Sequence, residues 1–160
     1  MLNSRNNIII FSKAIQTGKT TALFNLIKKY EHVGGFLTPN VNGKRMLYDI
    51  EHDKYHEFET KDDVTNPIQK IGKFTFVEKA FDKAKNIINQ YNNEALMIID
   101  EVGKLEIEMD KGFEPMVKKI IVDFKIKKFD GILLLVIRDT LLEKAIEKYG
   151  LQEAEIVEEL

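Results

Sequence analysis

The sequence has no cysteine among its 160 residues. Disulfide frameworks, cysteine-ligated zinc, iron–sulfur clusters and thiol nucleophiles are therefore excluded. Proline is scarce as well, with three scattered residues, and no proline-, glycine- or serine-rich linker divides the chain. We therefore expect a single domain over residues 1–160.

The sequence also lacks an excess of charge of either sign. Lysine and arginine number 24 against 26 aspartates and glutamates, which gives a net charge of −2. This balance excludes a strongly basic nucleic-acid binder on charge alone, and no nucleic-acid partner is expected. Arginine is rare and occurs only as Arg5, Arg45 and Arg138, so a site that needs a guanidinium group has few candidates.

No apolar run near the start of the chain is long enough for a signal peptide or a membrane span. The polar segment 1–7 is followed by only four apolar residues. We therefore expect a cytoplasmic protein with no membrane partner. Nothing in the sequence identifies a protein partner.

Continuous apolar runs predict buried strands at residues 8–11, 95–99 and 132–137. Helical periodicity predicts helices that run from Gly18 to about residues 32–34, from residue 77 to 91 and from residue 113 to 124. Strands that alternate with helices in this way favour a three-layer α/β fold with a largely parallel central sheet.

The segment between the first helix and residue 77 has a different pattern. Strand-like runs at residues 33–38, 46–50 and 55–58 flank the turn residues 40–43, and residues 71–76 form a further apolar run. These runs predict an antiparallel β-hairpin or meander inserted into the parallel fold, with one more strand at residues 71–76.

A phosphate-binding loop is predicted between the first strand and the first helix, where Gly18-Lys19-Thr20-Thr21 stands. In such a loop, backbone N–H groups and the helix N-terminus surround the phosphates, a lysine reaches the β- and γ-phosphates, and a Thr hydroxyl binds Mg²⁺. Lys19 and Thr20 match these roles. The candidate nucleotide-binding residues are Lys13, Ala14, Ile15, Gln16, Thr17, Gly18, Lys19, Thr20 and Thr21.

The loop departs from the usual G-x-x-x-x-G-K-[ST] pattern. Lys13 stands where the first glycine is expected, and Gln16 and Thr17 follow where further glycines are common. A side chain at position 13 or 16 is expected to strain or narrow the phosphate cradle, unless the added charge of Lys13 compensates.

A pair of carboxylates supports the nucleotide-binding interpretation. Asp100 and Glu101 follow the apolar strand at residues 95–99. This pattern places an acid at the carboxyl edge of a sheet, beside a phosphate loop. Asp100 is the candidate Mg²⁺ ligand together with Thr20, and Glu101 is the candidate general base that activates water.

Two arginines are candidates for stabilising charge on a transferring phosphoryl group. Arg138 follows the strand at residues 132–137, so it is expected at the same sheet edge as Asp100, whereas Arg45 lies in the predicted meander. A surface ion pair is the competing interpretation for both.

Residues 100–106, Asp-Glu-Val-Gly-Lys-Leu-Glu, resemble the Asp-Glu-Ile-Gly-Lys-Met-Glu signature of the cancer-related nucleoside-triphosphatase family. The resemblance extends to residues 35–38 with 43–45, which are similar to the family's Gly-Phe-Tyr-Thr and Gly-x-Arg hairpin, and to residues 71–74, which are similar to its Val-Gly-Lys-Tyr. It implies a P-loop NTPase with a RecA-like sheet that hydrolyses nucleoside triphosphates such as ATP or GTP with Mg²⁺. Lys19, Thr20, Asp100 and Glu101 match the family's functional positions.

Two other functions remain open from the sequence. A degenerate, weakly nucleotide-binding interaction module is suggested by Lys13 and Gln16 in the loop. A nucleotide or small-molecule kinase shares the same strand, loop and helix, but it needs an arginine-rich lid that Arg45 and Arg138 alone supply poorly. Hydrolysis is favoured, because all four residues of the catalytic set occur together.

Overall fold

The computed structural model describes residues 2, 7–14, 17–60, 67–92 and 94–160. The β-strands are β1 (Ile8–Lys13), β2 (Val33–Leu37), β3 (Asn40–Val41), β4 (Lys44–Asp49), β5 (Lys54–Glu57), β6 (Glu59–Thr60), β7 (Ile68–Ile71), β8 (Phe74–Val77), β9 (Leu96–Val102), β10 (Ile132–Arg138) and β11 (Glu155–Val157). The α-helices are α1 (Lys19–Ile27), α2 (Glu78–Asn89), α3 (Lys104–Met109), α4 (Met116–Lys125) and α5 (Leu142–Tyr149), and a 3₁₀ turn at Asp139–Leu141 precedes α5.

The central sheet is largely parallel, as predicted. Within the described residues it contains eight strands in the order β11-β1-β10-β9-β2-β4-β3, with β5 paired to β4. Strands β11, β1, β10, β9 and β2 are parallel, and β10 lies between β1 and β9. The carboxyl ends of β1 and β9 therefore meet at one edge of the sheet, on either side of the end of β10.

Helices cover both faces of this sheet, which confirms the three-layer α/β prediction. Alternate residues of each strand point to opposite faces. On one face Ile9 and Ile98 pack with the buried leucines of α1, Leu23 and Leu26. On the other face the neighbouring strand residues pack with α2, α4 and α5. The continuous apolar runs of β1, β9 and β10 reflect burial on both faces.

The predicted antiparallel insertion is also present. Strand β4 pairs antiparallel with β2, β3 and β5. Strands β6, β8 and β7 form a separate antiparallel sheet, which has three strands in the described part of the chain.

Several predicted boundaries were wrong. Residues 71–76 are not one strand, because Gly72 and Lys73 form the turn of the β7–β8 hairpin. Helix α1 ends at Ile27, earlier than expected, and α4 begins only at Met116, with Phe113 in the turn before it. Helix α3 was not predicted, since a helix of six residues is too short to establish a period.

Buried Glu106 fixes the start of α3. Its carboxylate accepts the N–H of Gly103 on Oε2 and the N–H of Phe113 on Oε1, both at 2.9 Å. The first of these bonds satisfies a backbone donor at the helix N-terminus. Burial nevertheless raises the pKa of Glu106 from its ordinary 4.5 to about 7.

Glu106 gives the stability of the fold a pH dependence that a Glu106→Gln variant removes. Between pH 4.5 and about 7 the folded state holds a proton on Glu106 that the unfolded state has lost. The free energy of unfolding therefore falls as pH rises through this window, by about 1.4 kcal/mol per pKa unit. Urea unfolding of the native protein and of the Glu106→Gln variant, measured between pH 4.5 and about 7, tests this expectation. A difference in the free energy of unfolding between the two proteins that stays constant with pH would contradict it.

Across the described part of the chain, no helix is long and apolar enough to cross a membrane.

Candidate functional site

The predicted phosphate loop lies between the end of β1 and the start of α1. Gly18 precedes α1 with a φ of +79°, a conformation that favours glycine. The Lys19 ammonium donates to the backbone oxygen of Lys13 at 3.0 Å, and the Thr17 hydroxyl donates to that of Ala14 at 2.7 Å. Thr20 and Thr21 are the next two residues of α1. Two loop residues of the sequence prediction, Ile15 and Gln16, lie outside the described residues.

The structure places Lys13 in a different setting from the one expected. Lys13 is the last residue of β1 and pairs in register with Arg138 of β10. Its backbone is not in the left-handed region, so the glycine of the usual motif is not required here by φ. A side chain at position 13 therefore puts no strain on the backbone, while a narrower phosphate cradle stays a prediction.

Asp100 is buried near the end of β9. Its Oδ2 accepts the backbone N–H of Thr38 at 3.0 Å, and the residue is only 6% exposed. Burial raises the pKa of Asp100 to about 6, while the Thr38 bond lowers it and the charge of Glu101 raises it. The nearby charges of Arg45 and Lys19 lower it as well, so these groups lie within electrostatic range of one carboxylate.

Glu101 forms an ion pair with Arg138. The Nε and Nη2 atoms of Arg138 both lie 3.2 Å from Glu101 Oε1. The β9–β10 register matches Val136 with Asp100 and Ile137 with Val102, so Glu101 is an extra residue in its strand. Such a bulge re-aims a side chain. The structure thus brings Glu101 and Arg138 together at the sheet edge where Asp100 lies.

Sequence reasoning did not assign a role to Thr38, although residues 35–38 belong to one of the motifs that carry the family resemblance. Thr38 acts through its backbone N–H, a group that every residue except proline has, so the identity of the residue does not reveal this contact. Only the placement of β2 beside β9 brings this donor to Asp100.

The available donors fit Mg²⁺. The hydroxyl of Thr20 and the carboxylate of Asp100 are hard oxygen ligands, and Mg²⁺ is commonly bound by one or two such groups together with substrate phosphates. Within the described residues, no group of three or more His, Asp or Glu side chains could hold a metal ion on its own.

A cavity of about 360 Å³ opens beside the Glu101–Arg138 pair. It was not predicted. Its apolar walls include five phenylalanines: Phe58, just before β6, Phe74 and Phe76 of β8, Phe81 of α2 and Phe113 of the turn before α4. Its polar lining includes Thr38, Arg45, Lys73 and Lys104. Four of these phenylalanines lie within residues 58–81, but only the tertiary fold brings them together with Phe113, so the sequence alone does not indicate the cavity.

Comparisons with known proteins agree with this geometry. A family model described as NTPase matches residues 8–156. The solved structure of THEP1 from the hyperthermophile Aquifex aeolicus is similar at a TM-score of 0.74 with 23% identity, over 94% of this chain and 88% of that chain. The solution structure of a human cancer-related nucleoside triphosphatase is similar at a TM-score of 0.63 with 16% identity, over 96% of this chain and 87% of that chain. No curated protein sequence matches this chain. The family match spans nearly the whole chain and the fold is that of P-loop NTPases, so this protein belongs to the NTPase family.

Proposed function

We propose that this protein hydrolyses nucleoside triphosphates to diphosphate and phosphate with Mg²⁺, as one domain over residues 1–160. The observation that carries the proposal is the meeting of Lys19, Asp100 and the Glu101–Arg138 pair at one edge of the parallel sheet. A cytoplasmic location and broad use of ATP and GTP stay predictions of the sequence.

The binding step uses the start of α1. The backbone N–H groups there and the Lys19 ammonium would hold the β- and γ-phosphates. Thr20 and Asp100 would hold Mg²⁺, which neutralises charge on the phosphate oxygens. Asp100 must be ionised for this, and a bound cation favours the ionised form.

The chemical step uses Glu101. A water molecule held by its carboxylate would attack the γ-phosphorus and give its proton to Glu101, while the bond from the γ-phosphorus to the β–γ bridging oxygen breaks. Arg138 fixes the Glu101 carboxylate through two contacts, and its guanidinium is suited to the charge that develops on the transferring phosphoryl group.

Binding without catalysis is the weaker alternative. This alternative rests on the two substitutions in the loop, Lys13 and Gln16. Because Lys13 lies in ordinary extended backbone at the end of β1, the first substitution gives it no support from backbone strain. The remaining substitution, Gln16, lies outside the described residues.

A Lys19→Ala variant tests the proposal. We expect Mg²⁺-dependent phosphate release from ATP and GTP by the native protein, and a loss in kcat of about 10²–10³-fold in the variant, since one preorganised charge on the phosphates is removed. Lys29→Ala is the matched control, because Lys29 is an exposed lysine just past the end of α1. Native protein that releases no phosphate, in an assay that detects about one turnover per hour, would contradict the proposal.

A further inference from the structure

The cavity beside Glu101 has an aromatic interior. Phe58 lies 4.6 Å from Phe76, 5.0 Å from Phe81 and 6.1 Å from Phe113, measured between ring centroids. Phe74, at the tip of the β7–β8 hairpin, stacks against Phe76 at 6.2 Å and is 38% exposed. A volume of about 360 Å³ falls in the range of small-molecule sites, roughly 300–1,000 Å³. Such walls suit a planar aromatic ring.

Positive charge dominates the polar part of the lining. It contains Arg45, Lys73, Lys104 and Arg138 against Glu101 and Glu106. Arg138 is paired with Glu101, and Glu106 is held by two backbone N–H groups. Within the described chain, Lys73, Lys104 and the guanidinium of Arg45 have no carboxylate partner within 4.0 Å. Unpaired cations around an apolar cavity suit an anion attached to the aromatic ring.

The cavity is separate from the phosphate loop. None of the described loop residues, 13, 14 and 17–21, lines it, whereas Glu101 and Arg138 do. In addition, α1 packs on one face of the central sheet, whereas Phe76, Phe81 and Phe113 belong to the core on the other face. A ligand here would reach the Glu101–Arg138 pair from the side opposite to the phosphate loop.

We propose that this cavity binds a nucleoside 5′-monophosphate as a phosphoryl acceptor. The base would stack on the phenylalanines, and the phosphate would lie among the cations of the rim, beside Glu101 and Arg138. The binding site stands on the cavity alone, while the transfer step rests on the proposed function, because the donor is a nucleoside triphosphate in the phosphate loop.

In the transfer step, a phosphate oxygen of the monophosphate takes the place of water. It attacks the γ-phosphorus of the donor, the bond from that phosphorus to the β–γ bridging oxygen breaks, and two nucleoside diphosphates result. A dianionic acceptor has no proton to lose, so this step needs no general base. Glu101 is therefore required for hydrolysis but not for transfer.

Binding is tested by calorimetric titration of AMP, GMP, CMP and UMP into the full chain. We expect saturable binding of at least one monophosphate. The matching nucleoside, which lacks the phosphate charge, and ribose 5-phosphate, which lacks the aromatic base, should each bind at least about tenfold more weakly. Lys19→Ala should retain this binding, because Lys19 does not line the cavity. Binding by the phosphate loop instead would be lost in that variant, which would overturn the site.

Two rim variants and two matched controls locate the site. Phe74→Ala and Lys104→Glu should each weaken monophosphate binding about tenfold. The controls are Tyr55→Ala and Lys29→Glu, which change an aromatic residue and a lysine of comparable exposure outside the cavity. They should leave the affinity for the monophosphate unchanged. Equal affinity in the rim variants and the controls would overturn the proposal.

Transfer is tested with γ-³²P-labelled ATP and the monophosphate that binds. We expect label in the new diphosphate, and a Glu101→Gln protein in which the ratio of transfer to hydrolysis rises at least about tenfold. Binding without labelled diphosphate would overturn the acceptor role. Monophosphate binding in a protein that shows neither hydrolysis nor transfer would count against the proposed function and leave the binding site standing.

Discussion

A Glu101→Gln protein should hydrolyse nucleoside triphosphates about 10²–10⁴-fold more slowly than the native protein, with nucleotide affinity nearly unchanged. Glutamine keeps an oxygen that can accept from the two Arg138 nitrogens, which lie 3.2 Å from Glu101 Oε1. It cannot take a proton from water at neutral pH. The chemical step is therefore impaired while the binding groups at Lys19 and Asp100 stay in place.

Single-turnover hydrolysis and a separate measurement of nucleotide Kd distinguish these effects. Glu108→Gln is the matched control, since Glu108 is an exposed glutamate of α3 that pairs with Lys144. If hydrolysis by the Glu101 variant is as fast as by the control, Glu101 is not the base.

The largest expected effect on stability comes from Gly35→Ala. Gly35 lies in β2 with a φ of +95°, and a Cβ there would stand 1.9 Å from the carbonyl oxygen of Ile98 and 2.8 Å from its carbonyl carbon. Backbone of the central sheet cannot give way by that much without losing the β2–β9 pairing, in which Gly35 faces Ile98. We expect a loss of about 4 kcal/mol or more in the free energy of unfolding, or failure to fold.

A Gly43→Ala variant separates the two reasons for glycine at position 35, the close approach of the Ile98 backbone and the positive φ. Gly43 also has a positive φ, +79°, but a Cβ there meets no heavy atom within 4 Å. Urea unfolding should show a loss of only about 1–2 kcal/mol, the cost of the left-handed conformation for alanine. Equal losses in the two variants would show that the approach to Ile98 is not what requires Gly35.

The elements predicted well are those whose signal is local. The runs in β1, β9 and β10 are continuous because both faces of these strands are buried, and α2 shows its period over three turns. The sequence predicts one strand where the β7–β8 hairpin lies, because apolar residues stand on both sides of Gly72 and Lys73. Gly72, with a φ of +55°, allows the chain to turn at this point although the residues on either side of the turn are apolar.

The candidate site divides in the same way. Lys19, Thr20, Asp100 and Glu101 are candidates from the sequence alone because each stands at the start or end of a predicted helix or strand. The bond from Thr38 to Asp100 and the pair between Arg138 and Glu101 depend on which strands are neighbours. The aromatic cavity depends on how the small antiparallel sheet packs against α2 and the turn before α4. Strand order and packing follow from the whole chain, so no short segment carries them.

The position of β10 between β1 and β9 means that the backbone sets the distance between the two parts of the candidate site. Lys13 pairs with Arg138, and Val136 pairs with Asp100, so two strand spacings of about 4.8 Å each separate the end of β1, where the predicted phosphate loop begins, from the carboxylates of β9. That interval is set by main-chain hydrogen bonds, which are indifferent to side-chain identity. Extensive sequence change elsewhere can therefore leave this distance intact, whereas one extra residue in β10 before Arg138 would shift its register and turn the Arg138 side chain to the opposite face of the sheet.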